Sequence, residues 1–286
     1  MLHFPVMSAA MAQPLDAQAV ARACARPDLA VECIARTEST QADLVARVRA
    51  LAPLHPVLRA AGEQDAGRGR MGRPWISSPG GSLLFSLSLP WTRSPSSTPA
   101  VTLACATAVA RALEARGVPV RLQWPNDILL GGAKLAGILV ELAQDPAGAT
   151  TLVVGLGCNL WLDAKDRELL ERERRVADLA QSIGRERLEG QREAILGELA
   201  GALLAACERY REQGFAPFRE DFLSRFALLH QPVQLLDEAR APRTGIARDI
   251  DEQGRLLIEG ERGLLAVHGG ELRALDASRP HAPAAA

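Results

Sequence analysis

The sequence predicts an α+β fold: a mixed sheet flanked by helices, followed by a small all-β module at the C-terminal end. Three observations predict it. Leu83, Phe85, Leu87 and Leu89, and then Val120, Leu122 and Trp124, alternate with the two-residue period of strands. Val101 to Leu113 forms a long apolar run, and Ile195, Leu199, Leu203, Ala206 and Tyr210 recur at helical spacing. From Pro232 onward only short strand-like runs occur, separated by turns such as Asp251-Glu252-Gln253-Gly254. A chain of 286 residues that is 48% hydrophobic can bury a substantial core, which excludes disorder as its main state.

The elements follow in order. Residues 1 to about 30 are Ala-rich and end at Pro27-Asp28, an accessory arm with room for one helix. Thr40-Gln41-Ala42-Asp43 resembles a capping box, and Leu44, Val45, Val48 and Leu51 continue a helix over 40–51. Leu83 to Leu89 reads as a half-buried strand. Thr98-Pro99 offers a cap and an early proline for the helix that Gly117 can end. Gly131-Gly132 supplies a tight turn before strands at Leu135–Leu142 and Thr151–Leu156. Arg167 to Ile183 reads as one charged helix, followed by the striped helix and a Phe-rich segment. Pro232–Leu236, Thr244–Ile250, Arg255–Glu259, Leu264–His268 and Glu271–Leu275 are the strands of the C-terminal module. The implied organisation is an N-terminal extension over 1–35, a main α+β domain over 36–228, the β module over 229–276 and a tail over 277–286.

A formal net charge of -1 gives no field for nucleic acid or an anionic membrane. Five dispersed cysteines and five dispersed histidines lack metal-site spacing and read as reduced thiols and no structural zinc. No basic start with a continuous apolar run marks a signal peptide, and no stretch suits a membrane span, so a cytoplasmic protein is expected. Of 33 basic residues, only Lys134 and Lys165 are lysine. In a chain that otherwise uses arginine, each lysine marks a place where a compact ammonium suits better than a guanidinium.

Four segments carry chemistry. Gly67-Arg68-Gly69-Arg70-Met71-Gly72-Arg73, preceded by Gln64 and followed by Trp75, joins a pliable backbone to guanidinium forks suited to carboxylate or phosphate. It matches neither the Walker phosphate loop nor the dinucleotide turn. Alone it reads equally well as a flexible surface loop. Gln123-Trp124-Pro125-Asn126-Asp127 and the strand opening at Lys134-Leu135-Ala136-Gly137 bring Asn126, Asp127 and Lys134 to the ends of neighbouring strands. Lys134 is either an edge guard or an ammonium aimed at a phosphoryl or carboxylate oxygen. Gly155-Leu156-Gly157-Cys158-Asn159 closes a strand in a glycine turn. Thr37-Glu38-Ser39-Thr40 offers hydroxyls to a helix cap or to a ligand.

Taken together, these segments resemble the biotin protein ligases. That family carries a polar residue before Ser-Thr, a GRGRxGRxW loop, KWPND followed by KLAGILVE, and a G-x-N turn. The likeness runs from about Thr37 into the C-terminal module. It implies a class II synthetase-like catalytic domain with an SH3-like C-terminal β-barrel. It also implies a ligase forming a carbon–nitrogen bond: biotin and MgATP give biotinyl-5'-adenylate and pyrophosphate, and a lysine of a biotin carboxyl carrier protein then takes the biotin. By the same likeness, Ser39, Thr40, Gln64, Arg68, Gly69, Arg70 and Lys134 would bind biotin. Arg70, Trp75, Asn126, Asp127 and Asn159 would surround the adenylate, and Asp127 would meet Mg²⁺. Lys134, Arg68 and Arg70 would be the catalytic cations.

Two departures matter. Gln123 stands where the family usually has lysine, removing one cation. The stretch before Thr37 is too short for a winged helix-turn-helix, so no DNA binding is expected. The family also makes a homodimer possible. A lipoate or octanoate ligase or transferase of the same fold is the nearest alternative, and a nonenzymatic RNA-binding protein is a remote one.

Overall fold

The structure is a computed structural model and describes residues 14–51, 56–237 and 240–275. The tail expected over 277–286 and the first thirteen residues of the expected extension lie outside the described residues. Helix α1 (Ala17–Cys24) is capped by Asp16, whose carboxylate accepts from the Gln18 and Ala19 N–H groups. Strand β1 (Ala30–Thr37) and helix α2 (Thr40–Leu51) follow, then β2 (Val57–Gln64), β3 (Ser82–Pro90) and α3 (Thr98–Ala115). Next come β4 (Val120–Gln123), β5 (Asp127–Leu130), β6 (Ala133–Gln144) and β7 (Thr150–Asn159). These seven strands form one mixed sheet in the order β1-β2-β3-β7-β6-β5-β4, with only β1 and β2 parallel among the paired neighbours.

The boundary expected at 35/36 falls inside β1, whose residues pair with β2 from Ala30↔Val57 to Thr37↔Gln64. Helix α1 buries Val20 and Cys24 in the main core. Its contact with α7 (Arg192–Gln213) is so close that a Cβ on Gly197 would lie 2.4 Å from the Ala23 methyl carbon. The extension from Leu15 onward is thus an integral layer of the domain, because its apolar stripe has a place against α7.

Strand β3 also differs from the half-buried expectation: Ser82 through Leu89 are all buried. Leu83, Phe85, Leu87 and Leu89 join the core beneath α7, while Ser86 on the opposite face meets Thr40 of α2. A sheet covered on both faces buries both sets of alternating residues.

The single charged helix expected over 167–183 is two short pieces, α4 (Ala164–Glu171) and α5 (Ala180–Ile183), and a third short helix, α6 (Arg185–Glu189), follows. Residues 172–179 between α4 and α5 run as a strap that docks on β6, and the tertiary hydrogen bonds it makes there override a helical charge pattern. After α7 comes α8 (Ala216–Arg225), which carries the Phe-rich face with Phe218 and Phe222 buried.

The C-terminal module is a five-stranded antiparallel sheet, β8 (Pro232–Asp237), β9 (Arg240–Ile250), β10 (Leu256–Gly260), β11 (Gly263–Val267) and β12 (Glu271–Ala274), in the order β11-β10-β9-β8-β12. Its antiparallel sheet agrees with the SH3-like module expected, and its ladder is open between β11 and β12 among the described residues. It is held to the larger sheet by specific bonds: the buried Trp124 Nε1 donates to Gly254 O at 3.0 Å, and Gln123 Nε2 donates to Leu272 O at 2.9 Å.

Candidate active site

The face of the large sheet opposite α3 and α7 has a lane with almost no side chains. Gly137 of β6 and Gly157 of β7 are cross-strand partners, and Gly155 lies two residues earlier on the same face. The lane is needed because other groups occupy the space a Cβ would fill. At Gly157 it would lie 2.5 Å from the Trp75 ring, and at Gly155 2.7 Å from Gln41 Oε1. Trp75 thus lies directly on the sheet, carried there by the Gly/Arg loop.

That loop folds back on itself. The Trp75 N–H donates to Gly67 O at 2.8 Å, the Gly69 N–H donates to Arg73 O at 2.7 Å, and Arg68 bridges Pro74. Met71, exposed at the tip, adopts a left-handed conformation with φ 58°. Arg70 turns inward, its Nη1 donating to Asn126 Oδ1 at 3.3 Å; burial lowers its pKa, and Asp127 offsets this in part. Arg68 points outward and is exposed. Arg73 reaches the C-terminal module, pairing with Glu271 at 2.7 Å.

Lys134 is placed by a β-bulge. In a regular strand, residues 134 and 137 would face opposite sides. The β5/β6 register runs Ile128↔Ala136 and then Leu129↔Lys134, so Leu135 is an extra residue and Lys134 joins Gly137 on the lane side. A Cβ on Gly137 would lie 3.2 Å from Lys134 Nζ. The ammonium pairs with Asp127 Oδ1 at 2.6 Å and lies 5.6 Å from the centre of the Trp75 ring. Removal from water lowers its pKa from the ordinary 10.5, Asp127 raising it again in part and Arg174 lowering it further. Arg174 comes from the strap and stands 3.5 Å from Asp127 Oδ2.

The strap also fixes the Lys134 backbone. The Lys134 N–H donates to Arg175 O at 3.0 Å, and Lys134 O accepts from the Ala177 N–H at 2.9 Å. Asn159 Nδ2 ties the same strap by donating to Ala177 O at 3.0 Å. Next along, buried Asp178 accepts from Arg167 and from the N–H groups of Leu162 and Gln181. None of these strap contacts was expected from the sequence.

At the other end of the lane, Gln64 Oε1 accepts from the Thr40 N–H at 2.8 Å and from Thr40 Oγ1 at 3.0 Å, and Thr40 Oγ1 meets Ser86 Oγ at 2.9 Å. Ser39 Oγ accepts from the Ala42 N–H at 3.3 Å, so it caps α2 while lying buried beside this cluster. The structure therefore brings Thr40, Gln64, Trp75, Arg70, Asn126, Asp127, Lys134 and Asn159 to one face. Sequence reasoning missed Gln41, Ser86, Arg174 and Asp178. Ser86 is flanked in the chain by Phe85 and Leu87, but nothing in the sequence sets it apart from Ser82 and Ser88 of the same strand.

Several buried polar atoms on this face have no hydrogen-bond partner: Gln41 Oε1, Trp75 Nε1 and Asn159 Oδ1, and Asp127 Oδ1 apart from its ion pair. Unsatisfied buried groups are costly, and their gathering around a glycine lane fits a site whose ligand completes them. An open cleft lined by Pro119, Leu130, Arg167, Arg175 and Gln181 lies behind the strap and includes none of these groups. Among the described residues no group of three or more His, Cys, Asp or Glu could hold a metal by itself. A single carboxylate, Asp127, lies at the lane, a donor set that would suit a magnesium ion only if other oxygen ligands completed its shell.

Residues 33–159 match the Biotin/lipoate A/B protein ligase family, and residues 229–272 match the Biotin protein ligase C terminal domain. A biotin--[acetyl-CoA-carboxylase] ligase from Paracoccus denitrificans is 32% identical over 254 residues, covering 84% of this chain and 98% of that protein. The bifunctional ligase/repressor BirA of Escherichia coli is 32% identical over 215 residues, covering 73% of this chain and 63% of its own length. The chain thus spans under two thirds of the length of that relative. Among solved structures, a biotin protein ligase from Aquifex aeolicus in complex with biotin and ATP superposes with a TM-score of 0.67 at 26% identity, covering 87% of this chain and all of that one. The fold is that of the biotin protein ligases. This chain belongs to the biotin protein ligase family. No helix among the described residues is long and apolar enough to cross a membrane.

Proposed function

We propose that the chain is a biotin protein ligase that activates biotin with MgATP to biotinyl-5'-adenylate and pyrophosphate, then passes the biotin to a lysine of a carrier protein. The observation that carries this reading is the Lys134 ammonium, turned by a bulge onto a glycine lane and covered by the arginine loop. In the first step a biotin carboxylate oxygen bonds to the α-phosphorus and pyrophosphate leaves. Both reactants are anions, so the chemistry calls for cations and N–H donors more than for a base.

In this reading Thr40, Gln64 and Ser39 hold the ureido ring at the hydroxyl end of the lane. Lys134 and Arg70 lie where carboxylate and α-phosphate meet, with Arg68 and Gly69 closing over them. Trp75 covers the adenine, and Asn126 and Asn159 hold the nucleotide. Asp127 would hold Mg²⁺, which supplies charge neutralisation of the phosphates when bound. In the second step the acceptor amine attacks the acyl carbon and AMP leaves. Because Trp75 lies on the lane, ligand entry requires the loop to lift, and its return keeps water from the adenylate.

Incubation with ATP, a carrier domain, and either biotin or lipoate tests the proposal. Biotin- and ATP-dependent labelling of the carrier is expected. Labelling by lipoate alone would reject it.

A further inference from the structure

Asp127 is shared by two cations. Lys134 Nζ lies at 2.6 Å on one oxygen, and Arg174 Nη1 at 3.5 Å on the other. The two are held differently. Lys134 is enclosed beneath Trp75, whereas Arg174 stands at the rim, about a third of its side chain exposed. Neighbouring arginines of the strap point elsewhere: Arg172 pairs with Glu168 on the surface, and Arg175 is exposed. The position of Arg174 is nonetheless fixed, because the main chain at Arg175 and Ala177 clamps Lys134 on either side.

A partly exposed ion pair at 3.5 Å adds little to stability. A guanidinium fork held at such a rim is better matched to a polyphosphate, which offers several paired oxygens and more charge than one carboxylate. Lys134 faces the lane, where carboxylate and α-phosphate would meet, so the rim cation lies on the outward side of that point. We propose that Arg174 is a substrate-binding residue for the β- and γ-phosphates of ATP and for the departing pyrophosphate. This rests on the ligase reading above. The bond formed is carboxylate oxygen to α-phosphorus and the bond broken is α-phosphorus to bridging oxygen. Pyrophosphate leaves with the electron pair, and Arg174 offsets the charge that accumulates on it.

The test compares wild type, Arg174→Ala, Arg174→Lys and Arg172→Ala in three measurements: calorimetric binding of inorganic pyrophosphate, biotin-dependent ATP–pyrophosphate exchange, and transfer of biotin from preformed biotinyl-5'-adenylate to a carrier. Arg174→Ala is expected to weaken pyrophosphate binding about tenfold and exchange by about ten- to a hundredfold. Transfer from the preformed adenylate should stay within about twofold, since that step involves neither phosphate. Arg174→Lys should recover part of the loss, and Arg172→Ala should match wild type. Unchanged pyrophosphate binding in Arg174→Ala, or equal losses in exchange and transfer, would overturn the assignment. A wild-type protein that binds pyrophosphate but performs no exchange would sink the ligase reading instead.

Discussion

Lys134 combines a charge that the proposed chemistry requires with surroundings that oppose charge. Desolvation beneath Trp75 is the larger influence and lowers its pKa from 10.5, with the Asp127 carboxylate as the main counterweight. A depressed lysine pKa means that the ammonium is lost at a lower pH than on an ordinary surface lysine. Adenylate formation should therefore fall on the alkaline side as pH rises through that lowered value. In the pH dependence of kcat/KM for ATP–pyrophosphate exchange, which reports the free enzyme, the alkaline midpoint is expected below 10.5. Lys134→Arg keeps its charge throughout that range, so it should be slower but without this limb. A wild-type profile level to pH 10.5 would contradict the assignment. Lys165, exposed on α4, is the control: Lys165→Ala should leave rate and profile unchanged, while Lys134→Ala should abolish adenylate formation.

At the scale of elements, the strap over 172–179 does for the Lys134 backbone what the bulge does for its side chain. Its anchor is Asp178, 3% exposed, which accepts from Arg167 at 2.5 Å, from the Leu162 N–H at 3.1 Å and from the Gln181 N–H at 3.2 Å. Asp178→Ala leaves these donors without an acceptor, which should cost about 1–3 kcal/mol of stability in denaturant unfolding and also slow adenylation by loosening the clamp on Lys134. Glu168→Ala, at an exposed pair, should change stability by under about 0.5 kcal/mol. The strap also marks the limit of what the sequence disclosed. Strands β3, β4, β6 and β7 and helices α2, α3 and α7 were legible because their apolar periods of two and 3.6 are local, whereas β1 and β2, with charged residues interrupting their apolar ones, were not marked as strands. Gly67 to Trp75, Asn126-Asp127 and Lys134 were legible as one site only through their joint resemblance to the biotin protein ligase motifs, since alone the loop also reads as a surface loop and Lys134 as an edge guard. The segment Arg172-Glu173-Arg174-Arg175 read as a charged helix because its charges have helical spacing, while its real partners lie some forty residues earlier in β5 and β6. The bulge at Leu135 was hidden for a related reason, since no residue type announces a one-residue change of register.

At the scale of the molecule, the C-terminal sheet touches the same elements that build the site. Gln123, in place of the family's usual lysine, donates to Leu272 O, and Trp124 just before the Pro-Asn-Asp turn donates to Gly254 O. On the other side Arg219 donates to Ile250 O at 2.8 Å and pairs with Asp249. Glu271 of β12 then completes a clasp, one oxygen on Arg73 of the loop and the other on Arg273, both at 2.7 Å. Burial alone would raise the Glu271 pKa, but the hydrogen bonds from Arg73 and Arg273 outweigh it and hold the value below the usual 4.5. A carboxylate with a depressed folded pKa contributes stability that is present above 4.5 and is lost as pH falls through the lowered value. The pair is partly exposed, so its contribution is about 0.2–1 kcal/mol and should fade with salt. Small as that is, it acts on a loop that the proposed ligand entry requires to lift from the lane, where even this energy shifts the open fraction by up to roughly fivefold. Glu271→Gln should make tryptic cleavage at the loop arginines up to roughly fivefold faster at pH 7 and low salt. Wild type should approach the variant's rate at 1 M salt, where the Debye length is only about 3 Å. Glu261→Gln, on the same module but outside this clasp, should cut like wild type. Equal cleavage of Glu271→Gln and wild type at low salt would show that the module seats the sheet without restraining the loop.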